Sequence, residues 1–140
     1  MAETKLKFDD VNEGDVAPSL THKLTRTDLV QYAGASGDFN PMHHDEIAAQ
    51  AAGLPSVFGH GMLSMGILGK AVTDYVGVGN LKNFKVRFTK QTWPDEELTT
   101  SVVVAAKREE DGVKLVDLTV SLANQNGEMK VDGSATAEAD

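Results

Sequence analysis

The stretch Met62-Leu63-Ser64-Met65-Gly66-Ile67-Leu68-Gly69-Lys70-Ala71-Val72-Thr73-Asp74-Tyr75-Val76 places Met62, Leu63, Met65, Ile67, Leu68, Ala71, Val72, Tyr75 and Val76 right round a helical wheel. A helix with one buried face would confine them to a stripe, so this one is expected to be buried on nearly all sides. Residues 62–76 would span roughly 22 Å as helix. Gly66 and Gly69 lower helix propensity, and close approach of another backbone is one reason to keep them. After Gly79 the apolar period drops from helical to two, with Phe84, Val86 and Phe88 alternating with Lys85, Arg87 and Thr89. Strands are expected again over Val102–Ala106, Leu115–Leu122 and Glu128–Ala135. They are separated by Glu110-Asp111-Gly112 and by Asn124-Gln125-Asn126-Gly127, which ends in a hairpin-forming Asn-Gly pair. Helices first and antiparallel strands after is the α+β order, and the simplest arrangement is a sheet wrapped around one buried helix.

Upstream, Glu13-Gly14-Asp15 reads as a turn and Ser19–Lys23 as a lead-in strand. Thr25 and Asp28 then stand in capping-box spacing before Leu29, Val30, Tyr32 and Ala33, which predicts a helix over Arg26–Ala35 ended by Gly34, Ser36 and Gly37. A second short helix is expected over Asp45–Ala52, with acids in its first turn and Gly53 just past its end.

The 140 residues suit one ordinary domain, residues 1–140, with a radius of gyration of roughly 14 Å. That length buries a core without disulfides or a structural metal. With no cysteine, thiol catalysis, disulfide frameworks and Cys-based zinc sites are excluded. A formal net charge of −8 argues against nonspecific binding to nucleic acid or an anionic membrane. The N-terminal Met-Ala-Glu-Thr-Lys-Leu-Lys-Phe-Asp-Asp lacks an apolar targeting core, and no run reaches transmembrane length. A cytoplasmic location is therefore expected.

Two segments carry chemistry. In Asp38-Phe39-Asn40-Pro41-Met42-His43 the proline fixes its own φ and pushes Asn40 out of the helical region. The result is a stiff turn bearing a carboxylate and an imidazole, and stiffness suits acid/base groups, which act only within hydrogen-bond reach of the proton they move. From spacing alone the same residues also fit a plain turn with a surface histidine. His44 and Asp45 bring two histidines and two carboxylates into eight residues, but adjacent histidines on a short turn diverge, so no metal site is expected. In Gly59-His60-Gly61-Met62 the glycines bracket His60 just before the long helix, where the first N–H groups lack intrahelical partners. Such an end can receive an oxygen that is gaining negative charge; an ordinary strand-to-helix turn with a packed or capping His60 fits as well. Neither a dinucleotide fingerprint nor a nucleophile elbow is met there.

Taken together, Tyr32-Ala33-Gly34-Ala35-Ser36-Gly37-Asp38-Phe39-Asn40-Pro41-Met42-His43 and Gly59-His60-Gly61-Met62-Leu63 resemble the MaoC-like (R)-specific enoyl-thioester hydratases and dehydratases, which have the hot-dog fold. The resemblance is strong from Leu24 to Tyr75 and only one of pattern beyond. It implies that Asp38 and His43 are catalytic and that the Gly61 N–H meets the thioester carbonyl, with Asn40, His60 and Met62 beside that oxyanion and substrate site. The implied reaction moves water across a 2-enoyl thioester of CoA or acyl carrier protein, without cofactor or metal. The closest likeness is to small single-domain actinobacterial dehydratase subunits, some of which pair a catalytic chain with one lacking the Asp and His. This chain keeps both. The resemblance further implies a homodimer, or a heterodimer with a related hot-dog subunit. Some family members carry a serine near the active site where this chain has Gly69, which loosens any expectation about acyl-chain length.

Lys82, Lys85, Arg87 and Lys90 fall within nine residues that contain no acid. They read either as a patch for CoA phosphates or an acidic carrier protein, or as a solvated strand face. Two other functions stay open: a hot-dog thioesterase, and an accessory subunit of a heteromeric dehydratase. Against the first, Gly59–Lys70 holds no carboxylate.

Overall fold

The structure, a computed structural model, describes residues 5–140; the N-terminal reading that begins at Met1 lies partly outside them. The order is β1 (Thr21–Lys23), α1 (Arg26–Ser36), a 3-10 turn (Pro41–His43), α2 (Glu46–Ala51), α3 (Gly61–Val76), β2 (Leu81–Phe88), β3 (Glu97–Glu110), β4 (Val113–Ala123) and β5 (Met129–Glu138). The strands form one antiparallel sheet in the order β1-β3-β4-β5-β2. Among the described residues, no helix is long and apolar enough to cross a membrane.

Local chemistry sets the ends of these elements. Thr25 accepts from the Asp28 N–H while the Asp28 carboxylate accepts from the Thr25 N–H, a complete capping box for α1, and Gly37 closes that helix at φ 79°. Asp111 and Gly112, at φ 51° and 79°, make the tight turn between β3 and β4. β1 is shorter than expected, because pairing with β3 runs only from Thr21 to Lys23. β3 is much longer than the expected Val102–Ala106. Its start pairs with β1 around the buried Leu98, and its polar far end, Lys107–Glu110, is carried by cross-strand bonding to β4 rather than by an apolar pattern.

The sheet buries one side of α3. Leu68, Ala71, Val72 and Val76 lie in the same core cluster as Val102, Val104, Leu118, Val120, Leu122 and Ala135. The expectation of burial on nearly all sides is corrected, since Met62, Gly66 and Lys70 on another flank of the helix are exposed in the single chain. The reason expected for the glycines is corrected too. A Cβ on Gly66 would meet nothing, and one on Gly69 would meet the Phe84 ring at 3.3 Å, so a side chain rather than a backbone lies against Gly69.

Candidate active site

The Asp38–His43 turn is built by its own polar groups. Ser36 Oγ accepts from the Asp38 N–H at 3.1 Å, and Asp38 Oδ1 accepts from the Asn40 N–H at 3.2 Å. Asn40 Oδ1 in turn accepts from the Met42 N–H at 3.1 Å and caps the 3-10 turn. Asn40 thus shapes the turn that carries His43.

His43 is 6% exposed, and its Nδ1 lies 2.6 Å from the Phe58 carbonyl oxygen. A carbonyl only accepts, so Nδ1 carries the proton and the lone pair of the neutral ring sits on Nε2. That nitrogen is 4.0 Å from Asp38 Oδ2, on a carboxylate whose side chain is 52% exposed. The gap is too long for a direct bond, yet a water at about 2.8 Å from each atom fits between them. Two segments fifteen residues apart meet here, because the Phe58 N–H also donates to the Met42 carbonyl at 3.1 Å.

His60, the N-cap of α3, is 1% exposed. Its Nε2 donates to the Asp38 carbonyl at 3.1 Å, while its Nδ1 is buried without a partner among the described residues. Burial is the main cause that holds its pKa below the usual 6.5, with the nearby His43 and His44 adding to it. A protonated ring would place a second buried N–H where nothing accepts it. His60 therefore stands as a neutral support beneath Asp38.

The N–H groups of Gly61 and Met62 have no acceptor among the described residues, since the first bonds of α3 run from Leu63 and Ser64 back to the His60 carbonyl. Met62 itself is 57% exposed. Beside this helix end opens a cavity of about 300 Å³ whose lining includes Phe58, Gly59, Gly61, Ser64, Phe88 and Lys90. An oxygen anion placed there would meet two free amides at the positive end of a sixteen-residue helix.

Asp38, His43 and His60 each offer a ligand atom within 4.8 Å of the others. The two imidazoles lie nearly parallel, however, with their planes 28° apart and their centroids separated by 3.9 Å. Stacked rings aim their nitrogens side by side, whereas metal ligands converge on one point. His44 turns away and bonds the Phe39 carbonyl at 3.1 Å, and Asp45 caps α2 through the Ala48 N–H.

The basic run changes character in three dimensions. Lys82 pairs with Glu138 at 3.0 Å and Lys90 with Glu128 at 3.1 Å, acids contributed by or next to β5. Lys85 and Arg87 are exposed on the edge strand and form no ion pair among the described residues. Of the four cations expected to form a patch, Lys82 and Lys90 thus have acidic partners that are remote in sequence.

Residues 8–126 match the MaoC-like domain family, and the chain belongs to that family. Its fold is the hot-dog fold. Over 82 residues it is 38% identical to 3-hydroxyacyl-thioester dehydratase Y of Mycobacterium tuberculosis, covering 56% of this chain and 28% of that protein. Over 131 residues it is 30% identical to the (R)-specific enoyl-CoA hydratase of Rhodospirillum rubrum, covering 92% and 88%. An R-hydratase from Pseudomonas aeruginosa, solved in the unliganded form, superposes with a TM-score of 0.82 at 26% identity, over 99% of this chain and 89% of that one. The chain thus spans little more than a quarter of the first of these relatives.

Proposed function

We propose that this chain is a hydro-lyase that adds water to trans-2-enoyl thioesters and, in reverse, dehydrates (3R)-hydroxyacyl thioesters. The observation that carries the reading is the 4.0 Å gap between Asp38 Oδ2 and His43 Nε2, on a turn locked to the segment that opens α3. The thioester carbonyl accepts from the Gly61 N–H at the helix end, which draws electrons from the double bond and leaves C3 electrophilic. A water held between Asp38 and His43 loses a proton to one of them as its oxygen bonds to C3, and a proton is delivered to C2. The chain's side chains and amides supply every group these steps use. A relative of nearly the same length that carries the name of an (R)-specific enoyl-CoA hydratase supports the direction and the substrate class.

The thioesterase reading finds no support along α3, where the first acid is Asp74 in the last turn, paired with Lys70 at 2.6 Å. Lys85 and Arg87 suit the phosphates of CoA or the acidic surface of a carrier protein. The open edge of β2, with half-exposed Phe88 and the exposed flank of α3 at Met62, suits a dimer, either of two copies or with a related hot-dog subunit. The reading places one functional domain over residues 1–140, in the cytoplasm.

The deciding experiment follows the enoyl absorbance of crotonyl-CoA with the purified chain alone. Loss of absorbance with water incorporated at C3 is the expected result. Thiol release without hydration would overturn the reading in favour of a thioesterase, and activity only after a related second chain is added would overturn catalysis by this chain alone.

A further inference from the structure

A buried ion pair lies behind the cavity, and the mechanism above does not use it. Lys130, with 3% of its side chain exposed, meets Glu96 Oε2 at 3.0 Å and donates to the Gln91 carbonyl at 2.9 Å. Glu96 Oε1 accepts from the Trp93 N–H at 2.6 Å, and its Oε2 also accepts from Asn124 Nδ2 at 2.6 Å. The Lys130 carbonyl accepts from the Thr89 N–H at 2.9 Å. Lys130 therefore ties residues 89–96 to β5 at three points, Thr89, Gln91 and Glu96, while Glu96 braces the connection from within at Trp93 and from outside at Asn124. The connection is bent hard enough to hold Asp95 at φ 75°, a conformation that non-glycine residues seldom adopt.

That connection in turn grips the turn that opens α3. The Thr92 carbonyl accepts from the Gly59 N–H at 2.8 Å, and Thr92 Oγ1 would lie 2.2 Å from a Cβ on Gly59. Thr92 is 3% exposed, so it has no room to withdraw. The same connection holds the start of α1, because the Glu96 carbonyl accepts from the Leu24 N–H at 2.9 Å and the Leu24 carbonyl accepts from the Asp95 N–H at 2.7 Å. Gln91, Thr92 and Lys130 themselves line the cavity.

We propose that Lys130 and Glu96 are positioning residues for the oxyanion turn: their buried pair sets the 89–96 connection, and through Thr92 it sets the direction of the Gly61 and Met62 amides. The inference rests on the hydratase reading for its kinetic consequence but not for its structural one. A buried pair adds little stability when both charges are removed together, whereas removing one partner leaves an uncompensated charge. A reacting group displaced by about 1 Å by a remote change loses up to about 10²-fold in rate. These two effects separate position from stability.

The test compares Lys130→Met, Glu96→Gln and the double variant with the wild-type chain, in crotonyl-CoA hydration and in amide hydrogen exchange over Gly59–Met62. The expected result for Lys130→Met is a fall in kcat of roughly tenfold or more with KM within about twofold. Exchange at Gly59, whose N–H the Thr92 carbonyl holds, rises while Leu68–Val76 stays protected. The neutral double variant regains the thermal midpoint that the single variant loses, and its kcat stays low because the Gln91 tie is still missing. A folded Lys130→Met with unchanged kcat and unchanged exchange overturns the proposal, as does a double variant that regains turnover together with stability. Should the wild-type chain leave crotonyl-CoA unaltered, the hydratase reading falls and the exchange rates alone decide the positioning role.

Discussion

The imidazole of His60 stacks beneath that of His43, with centroids 3.9 Å apart, and reaches past it to hold the backbone carbonyl of Asp38. One buried, neutral ring thus braces both members of the acid/base pair from below. Its pKa lies under the usual 6.5 while unfolded histidine titrates near that value. The unfolded chain therefore binds the extra proton first, and the contribution of His60 to stability is complete above about pH 6.5 and is lost as pH falls through the lowered value. Urea unfolding between pH 8 and pH 5 will show a loss of stability on the acid side. His60→Gln, whose amide can still donate to the Asp38 carbonyl, will flatten it. Equal slopes in the two proteins would mean that the ring does not titrate with folding.

Asp38→Asn and His43→Ala remove the two groups that face each other across 4.0 Å. Each is expected to lower kcat for enoyl-thioester hydration by roughly 10²–10⁴. Asp38→Asn leaves the thermal midpoint nearly unchanged because Asp38 is exposed, whereas His43→Ala also lowers it because His43 is buried against the Phe58 carbonyl. Steady-state kinetics on both variants checks this, and undiminished turnover in either removes that residue from the chemistry.

Gly59 and Gly133 have no space for a side chain. A Cβ on Gly59 would lie 2.2 Å from Thr92 Oγ1, and one on Gly133 would lie 1.9 Å from the Lys85 carbonyl oxygen. Gly59→Ala is expected to cost about 1–3 kcal/mol as overpacking and to depress kcat by shifting the helix opening. Gly133→Ala pushes against backbone that cannot rotate away, so it will cost more and loosen β2 from β5. Denaturant midpoints rank the two, and the reverse order would show that the edge strand yields more readily than Thr92.

With Lys82 and Lys90 already paired, the charge left for an anionic substrate is that of Lys85 and Arg87. The Lys85→Glu/Arg87→Glu double variant is expected to raise KM for an acyl-CoA several-fold at low salt, with the difference closing as ionic strength shortens the reach of the charges. A KM ratio that is the same at low and high salt would assign these two cations to the solvated surface.

Local signals were readable wherever a residue's neighbours in sequence are also its partners in space. The Thr25–Asp28 capping box, the stop at Gly37, the tight turn at Asp111-Gly112 and the start of α3 after His60 all stand within a residue or so of where the sequence puts them. The pairing of Asp38 with His43 was legible for the same reason, because one rigid turn carries both. The anchor of His43 was not, since a Phe58 carbonyl leaves no trace in side-chain identity. Nor was the Lys130–Glu96 pair, whose partners are far apart in the chain and meet only through the order of the strands. A faint sign of it existed: Lys130 sits beside Val131 in a strand, at a place where an unpaired charge would be costly. The polar far end of β3 was missed because alternation fades over Lys107–Glu110 and only the neighbouring strand keeps it extended.

The sheet order has a consequence for how the protein is made. Among the described residues β2 pairs with β5 alone, about forty residues later, and the lysine that secures the 89–96 connection arrives with that same strand. As the chain leaves the ribosome, α3 and its glycine-flanked opening are therefore complete well before the 89–96 connection and β5 can hold them from the other side. Long-range pairing of this kind forms late. Catalytic competence therefore waits for β5, and a product terminated before that strand is inert instead of an unregulated enzyme.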